Sequence, residues 1–125
     1  MTNLDSNNLF ISGIKAFNEK RFYDAHEYWE EIWNEYNITD ALFIQGLIQL
    51  AVAYFHITNS NLKGASSMFN KCLPKLKEYL PKQRGLDTEE LITATNMGIK
   101  CIENIDNPND FDWRTLPMLN EENIV

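Results

Sequence analysis

Shifted by 40 residues, this chain falls onto itself. Apolar positions land on apolar positions: Phe10 on Leu50, Ile11 on Ala51, Ile14 on Tyr54, Phe17 on Ile57, Phe22 on Leu62, Ala25 on Ala65, Tyr28 on Met68, Trp29 on Phe69, Ile32 on Cys72, Trp33 on Leu73 and Tyr36 on Leu76. Within each set residues recur at three and four apart, as at 25, 28, 29, 32, 33 and 36, the period of a helix, and strand-like alternation is absent. Two helix–turn–helix units of one design produce this pattern, with the small residues Ala25 and Ala65 where helices cross closely. Tetratricopeptide arrays are built from such hairpins, although their usual period is shorter, ~34 residues.

Helices are expected from about Asn7 to Asn18, Phe22 to Tyr36, Asp40 to Thr58, Asn61 to Tyr79 and Asp87 to Glu103. Asn61 is a good N-cap. Asp87 with Glu90 three residues later has the form of a capping box. Pro74 lacks the N–H that its turn requires and should kink or divide the fourth helix. The tail IDNPNDFDWRTLPMLNEENIV is rich in turn formers and reads as extended, with Phe111, Trp113 and Leu116 apolar enough to dock on the bundle. The expected fold is all-α. It is a compact five-helix array of two similar hairpins plus a C-terminal helix and an extended tail. A single domain is expected over 1–125, with the core motif region at 10–80 and the C-terminal helix and docked tail at 87–125.

A chain of 125 residues, 44% of them hydrophobic, is long enough to bury a real core. The longest apolar run, ALFIQGLIQLAVAYFHI (41–57), is 17 residues. It falls just short of spanning length and is broken by Gln45, Gln49 and His56, so it reads as a core helix and not a membrane segment. No charged-then-apolar leader is visible, and Cys72 and Cys101 lack CxxC spacing. A cytoplasmic protein with reduced thiols is expected.

The net charge of −7 argues against a nucleic-acid binder, which needs a dominant basic face. The charge is also segregated. Residues 19–40 hold seven acids (Glu19, Asp24, Glu27, Glu30, Glu31, Glu35, Asp40) against Lys20 and Arg21. Residues 63–84 hold Lys63, Lys71, Lys75, Lys77, Lys82 and Arg84 against Glu78. Complementary halves attract each other within one chain or between two copies, so a homo-oligomer is one expected partnership.

The densest stretch is FYDAHEYWEEIW (22–33). At 100° per residue, Phe22, Ala25, Trp29, Ile32, Trp33 and Tyr36 form one broad core face, and Asp24, Glu27, Glu31 and Asn34 lie opposite. His26 and Glu30, four apart, stand together at the margin of the tryptophan face. On the apolar third helix, Gln45, Gln49 and His56 lie on one stripe within about 40° of one another. Each needs a hydrogen-bond partner, since an unpaired buried one costs ~1–3 kcal/mol. The expectation is one polar cluster of His26, Glu30, Gln45, Gln49 and His56, walled by Trp29 and Trp33.

That cluster has four readings. It can be a satisfied network that fixes helix register, or a pocket for a small molecule or peptide with tryptophan walls. It can be a divalent-metal site, with His26 and Glu30 chelating at i,i+4 and His56 completing a two-histidine, one-carboxylate set. It can also be an acid–base catalyst. HEYWE lacks the second histidine of HExxH, and no GxSxG, P-loop, GxGxxG or Ser–His–Asp pattern occurs. The reading adopted is a non-catalytic binding or interaction module with no cofactor, its partner an unknown protein or small molecule. The alternative is a metal-dependent or acid–base, hydrolase-like enzyme using His26, Glu30 and His56.

Three linked blocks stand out. The first is carried by Phe17, Asn18, Phe22, Ala25, His26, Glu27 and Trp33. Gln45, Gly46, Leu47, Ile48, Gln49, Ala51 and His56 follow, then Asn61, Gly64 and Ala65. Taken together, these blocks resemble the DUF309 family of small bacterial, archaeal and plastid-lineage helical proteins. Where many members have an arginine before the L-Q-G block, this chain has Asp40-Ala41-Leu42. The resemblance implies an all-helical array in the cytosol, or in the plastid stroma for a plastid lineage. It implies no activity, since the family's function is unassigned. It places Glu27 in a motif, whereas the helical wheel puts it outside.

Overall fold

The computed structural model describes residues 3–120, with side chains described from Asp5 onward. Five helices follow one another: α1 (Asn3–Asn18), α2 (Phe22–Glu35), α3 (Ala41–Thr58), α4 (Leu62–Lys77) and α5 (Thr88–Glu103). The compact all-α array is as the periodicity predicts, and α1 begins a turn earlier than expected. Consecutive helices pack on one another, α1 on α2, α2 on α3, α3 on α4 and α4 on α5.

The repeat extends into the backbone. At the end of α1 the Arg21 N–H donates to the Ala16 carbonyl and the Lys20 N–H to Phe17. At the end of α3 the Asn61 N–H donates to His56 and the Ser60 N–H to Ile57. Both are Schellman closures, in which the residue after the cap turns left-handed and the last carbonyls find donors. Arg21 and Asn61 then serve as N-caps of α2 and α4. Their chemistry differs: Asn61 Oδ1 accepts from the Gly64 N–H at 2.8 Å, while Arg21 bonds Asp24 and Glu19 on the surface.

The core is aromatic at its centre. Trp29 is fully buried, donates from Nε1 to the Phe10 carbonyl at 3.2 Å and lies against Gly13 of α1. Its counterpart Phe69 packs edge-on to Tyr54 at 5.1 Å and lies against Gly98 of α5. Burying each such ring contributes about 1.5–3 kcal/mol. α3 supplies nine buried residues. By length and composition it could cross a membrane, and half of it is buried within the fold, as in a core helix.

Three local expectations are corrected. α4 runs undivided through Pro74, whose exposed ring sits in the last turn. A short antiparallel pair, β1 (Lys82–Gln83) and β2 (Leu86–Asp87), joins α4 to α5, too brief to show as alternation. The tail is not wholly extended, since 3-10 turns form at Pro108–Asp110 and Trp113–Thr115. It does dock. Phe111 is buried, Trp113 stacks on Phe22 at 5.8 Å, and the Asn18 amide bonds both backbone groups of Leu119. Residues 121–125 of the expected docked tail lie outside the described residues.

Within the β1–β2 turn, Arg84 (φ 52°) and Gly85 (φ 78°) are both left-handed, as a two-residue hairpin with right-handed twist requires. The turn delivers the Arg84 guanidinium onto buried Asp40, Nε to Oδ2 at 2.6 Å and Nη2 to Oδ1 at 2.9 Å. Gln83 adds a third bond to Asp40, and Arg84 also covers the ring of Phe10. One member of each charged run thus meets the other within the chain.

Candidate functional site

On α2 the residues sealed in the core are Phe22, Ala25, Trp29 and Ile32. Beside them, on the side that borders α3, lie Tyr23, His26, Glu30 and Trp33. The rings of Tyr23 and Phe55 meet at 5.4 Å, so the start of α2 faces the end of α3 and the two run antiparallel. In that register His26 is level with Val52, Glu30 with Ile48 and Trp33 with Gln45. His26 is half-buried, with Nε2 2.6 Å from Glu30 Oε2 and Nδ1 donating to the Tyr23 carbonyl at 3.1 Å. Both ring nitrogens therefore face acceptors.

The solvent strip of α3 carries Gln45, Ile48, Gln49, Val52, Phe55 and His56, all half-buried, with exposed Leu42 at its start. Gln49 Oε1 is sealed from water and meets no donor among the described residues. His56 closes the strip at its far end. Its Nδ1 accepts from Asn61 Nδ2 at 3.4 Å, and its ring abuts Gly64, where an added Cβ would stand 3.0 Å from His56 Cδ2. On the other side Gly46 backs onto α4, with Lys75 Cβ 3.4 Å from the position of an added Cβ.

The expected single cluster is therefore divided. His26 and Glu30 are brought together; His56 bonds to the cap of α4 instead; neither glutamine hydrogen-bonds to any of the three. A shallow depression beside the pair is lined by Tyr23, His26, Glu27, Glu30, Glu31 and Asn34, and not by Gln45, Gln49 or His56. Among the described residues no three His, Cys, Asp or Glu side chains group as a metal ligand set. The tryptophan walls are also corrected. Trp29 lies wholly in the core toward α1, and Trp33 is 43% exposed. The arc of α2 that is covered is narrower than its apolar arc, and Trp33 falls on the rim.

Tyr23 and Leu42, each 49% exposed, belong to this face and were missed in the sequence. The wheel could have found Tyr23, which stands beside Glu30. Glu27 is exposed and borders two shallow depressions. It makes no hydrogen bond or ion pair with the described residues, which keeps it on the outer face where the wheel put it. A larger cavity, about 510 Å³, lies elsewhere, between β2, the start of α5 and the tail, and is lined by none of the candidate residues.

The fold and this mixed strip define an all-helical protein of paired hairpins. Residues 10–68 match the model of the DUF309 family, described as a domain of unknown function. That span runs from Phe10 in α1 to Met68 in α4 and takes in every motif block through Ala65, along with His26, Glu30, Gln45, Gln49 and His56. No curated protein shows significant similarity to the chain.

Proposed function

We propose that the chain is a non-catalytic interaction module that docks a partner on the α2–α3 face. The supporting observation is the exposure of Tyr23, Trp33 and Leu42 along the half-buried strip of α2 and α3. Exposed aromatics supply rigid contact area of the kind that anchors interfaces. The enzyme alternative would need His56 beside His26 and Glu30, and the hydrogen bonding of His56 favours Asn61.

Site-specific photo-crosslinking tests this reading. A photoreactive residue at Gln45 should give discrete adducts in native lysate, and the same residue at exposed Thr93 on α5 should not. No adduct from Gln45, or equal adducts from both positions, would overturn it.

A further inference from the structure

We infer that the partner on this face is a second copy of the chain, related by a two-fold axis parallel to α3, so that α2 of each copy lies over α4 of the other. The inference rests on the docking role just proposed and names its occupant. One edge of the face is acidic and aromatic, with Glu30 and Trp33 on α2. The opposite edge is basic, with Lys71 and Lys75 on α4.

The levels along α3 match as well as the signs. Tyr23 meets Phe55, which sets Glu30 level with Ile48 and Trp33 level with Gln45. Gly64 abuts His56 and Lys75 flanks Gly46, which sets Lys71 level with Leu50. At 1.5 Å per residue, Glu30 and Lys71 are about 3 Å apart along the axis, and Trp33 and Lys75 about 1.5 Å. A two-fold parallel to α3 preserves these levels while exchanging the edges. It therefore places Glu30 against the second copy's Lys71, and Trp33 against its Lys75 as a cation–π pair. The alternative in-plane axis, across α3, would set acid on acid and is disfavoured by charge.

At the centre the two α3 strips meet. The footprint, about 20 Å by 20 Å on each copy from the strip length and the helix spacing, falls below the range of stable specific interfaces and among weak, transient ones. Association is accordingly reversible and concentration-dependent.

Sedimentation velocity on the full chain tests the pairing by charge exchange. Wild type should show a monomer–dimer equilibrium. Glu30→Lys alone and Lys71→Glu alone should each weaken it at least about tenfold, and the double variant should restore it. Both positions face solvent, so far-UV circular dichroism should show each variant folded. A monomer at every concentration, a dimer indifferent to the single variants, or a double variant weaker than either single overturns the inference. Adducts from a photoreactive Gln45 to a foreign protein, with wild type monomeric, would sink the second copy while leaving the docking role standing. No adduct at all would sink both.

Discussion

Lys20 and Ser60, 40 residues apart, hold the same left-handed backbone conformation, with φ of 62° and 61°. Each is the residue after a helix cap, and each is followed by the cap of the next helix. A side chain in this conformation brings Cβ against the following carbonyl at a cost of about 1–2 kcal/mol, which is why glycine is the usual occupant. Lys20 also places its ammonium over the Trp113 ring at 5.1 Å, whereas Ser60 is exposed.

Ser60→Gly should therefore stabilise the fold by about 0.5–1 kcal/mol, and Ser60→Val should destabilise it by about 1–2 kcal/mol. Lys20→Gly should gain less, because it loses the contact with Trp113. Urea unfolding of the three variants checks the ranking.

The Asp40–Arg84 pair should dominate the acid limb of stability. Burial by itself would raise the Asp40 pKa, but the hydrogen bonds from Arg84 and Gln83 outweigh it and hold the carboxyl below its ordinary range. A depressed folded pKa adds stability above the unfolded value of about 3.9, and that stability is lost as pH falls through the folded pKa. Asp40→Asn should cost about 3 kcal/mol near neutrality, where it leaves Arg84 unpaired in a half-buried position. The gap between variant and wild type should shrink below about pH 4. A gap that persists unchanged in urea melts at about pH 3 would show that the pair does not titrate this way.

Gly13 and Gly98 should respond differently to alanine. At Gly13 the new Cβ would fall 2.1 Å from Trp29 Nε1, inside a sealed core. Gly13→Ala should cost about 1–3 kcal/mol and shift tryptophan fluorescence. At Gly98 the nearest atom is Phe69 Cζ at 3.0 Å. There the better helix propensity of alanine, about 1 kcal/mol, offsets the crowding, so Gly98→Ala should be near neutral. Thermal melts of both variants decide.

Metal content separates the interaction reading from the enzyme alternative. Protein purified without chelator should carry far less than stoichiometric zinc, manganese or iron by elemental analysis. Stoichiometric metal, lost in both His26→Ala and His56→Ala, would favour the metalloenzyme instead.

Much of this molecule is local and was therefore readable along the chain. Helical period and the 40-residue echo located both hairpins, because the burial of a helix face is a property of its own spacing. The caps at Asn61 and Asp87 are short-range hydrogen bonds to Gly64 and Glu90, and their residue types announce them. Phe111 and Trp113 were expected to dock because apolar side chains among turn formers have nowhere else to go.

What the spacing could not settle was register between helices and which neighbour covers which edge. His26 and Glu30 share one helix, so their pairing followed from sequence; His56 belongs to another helix, and only packing decided that it turns to Asn61. Trp33 lies on the apolar arc of α2 yet stays exposed, because α3 approaches from a direction no local pattern encodes. Arg84 reaches Asp40 across 44 residues through a two-residue turn. Periodicity fixes the angle of a side chain about its own axis, whereas the partner at that angle is fixed by how all the helices pack at once.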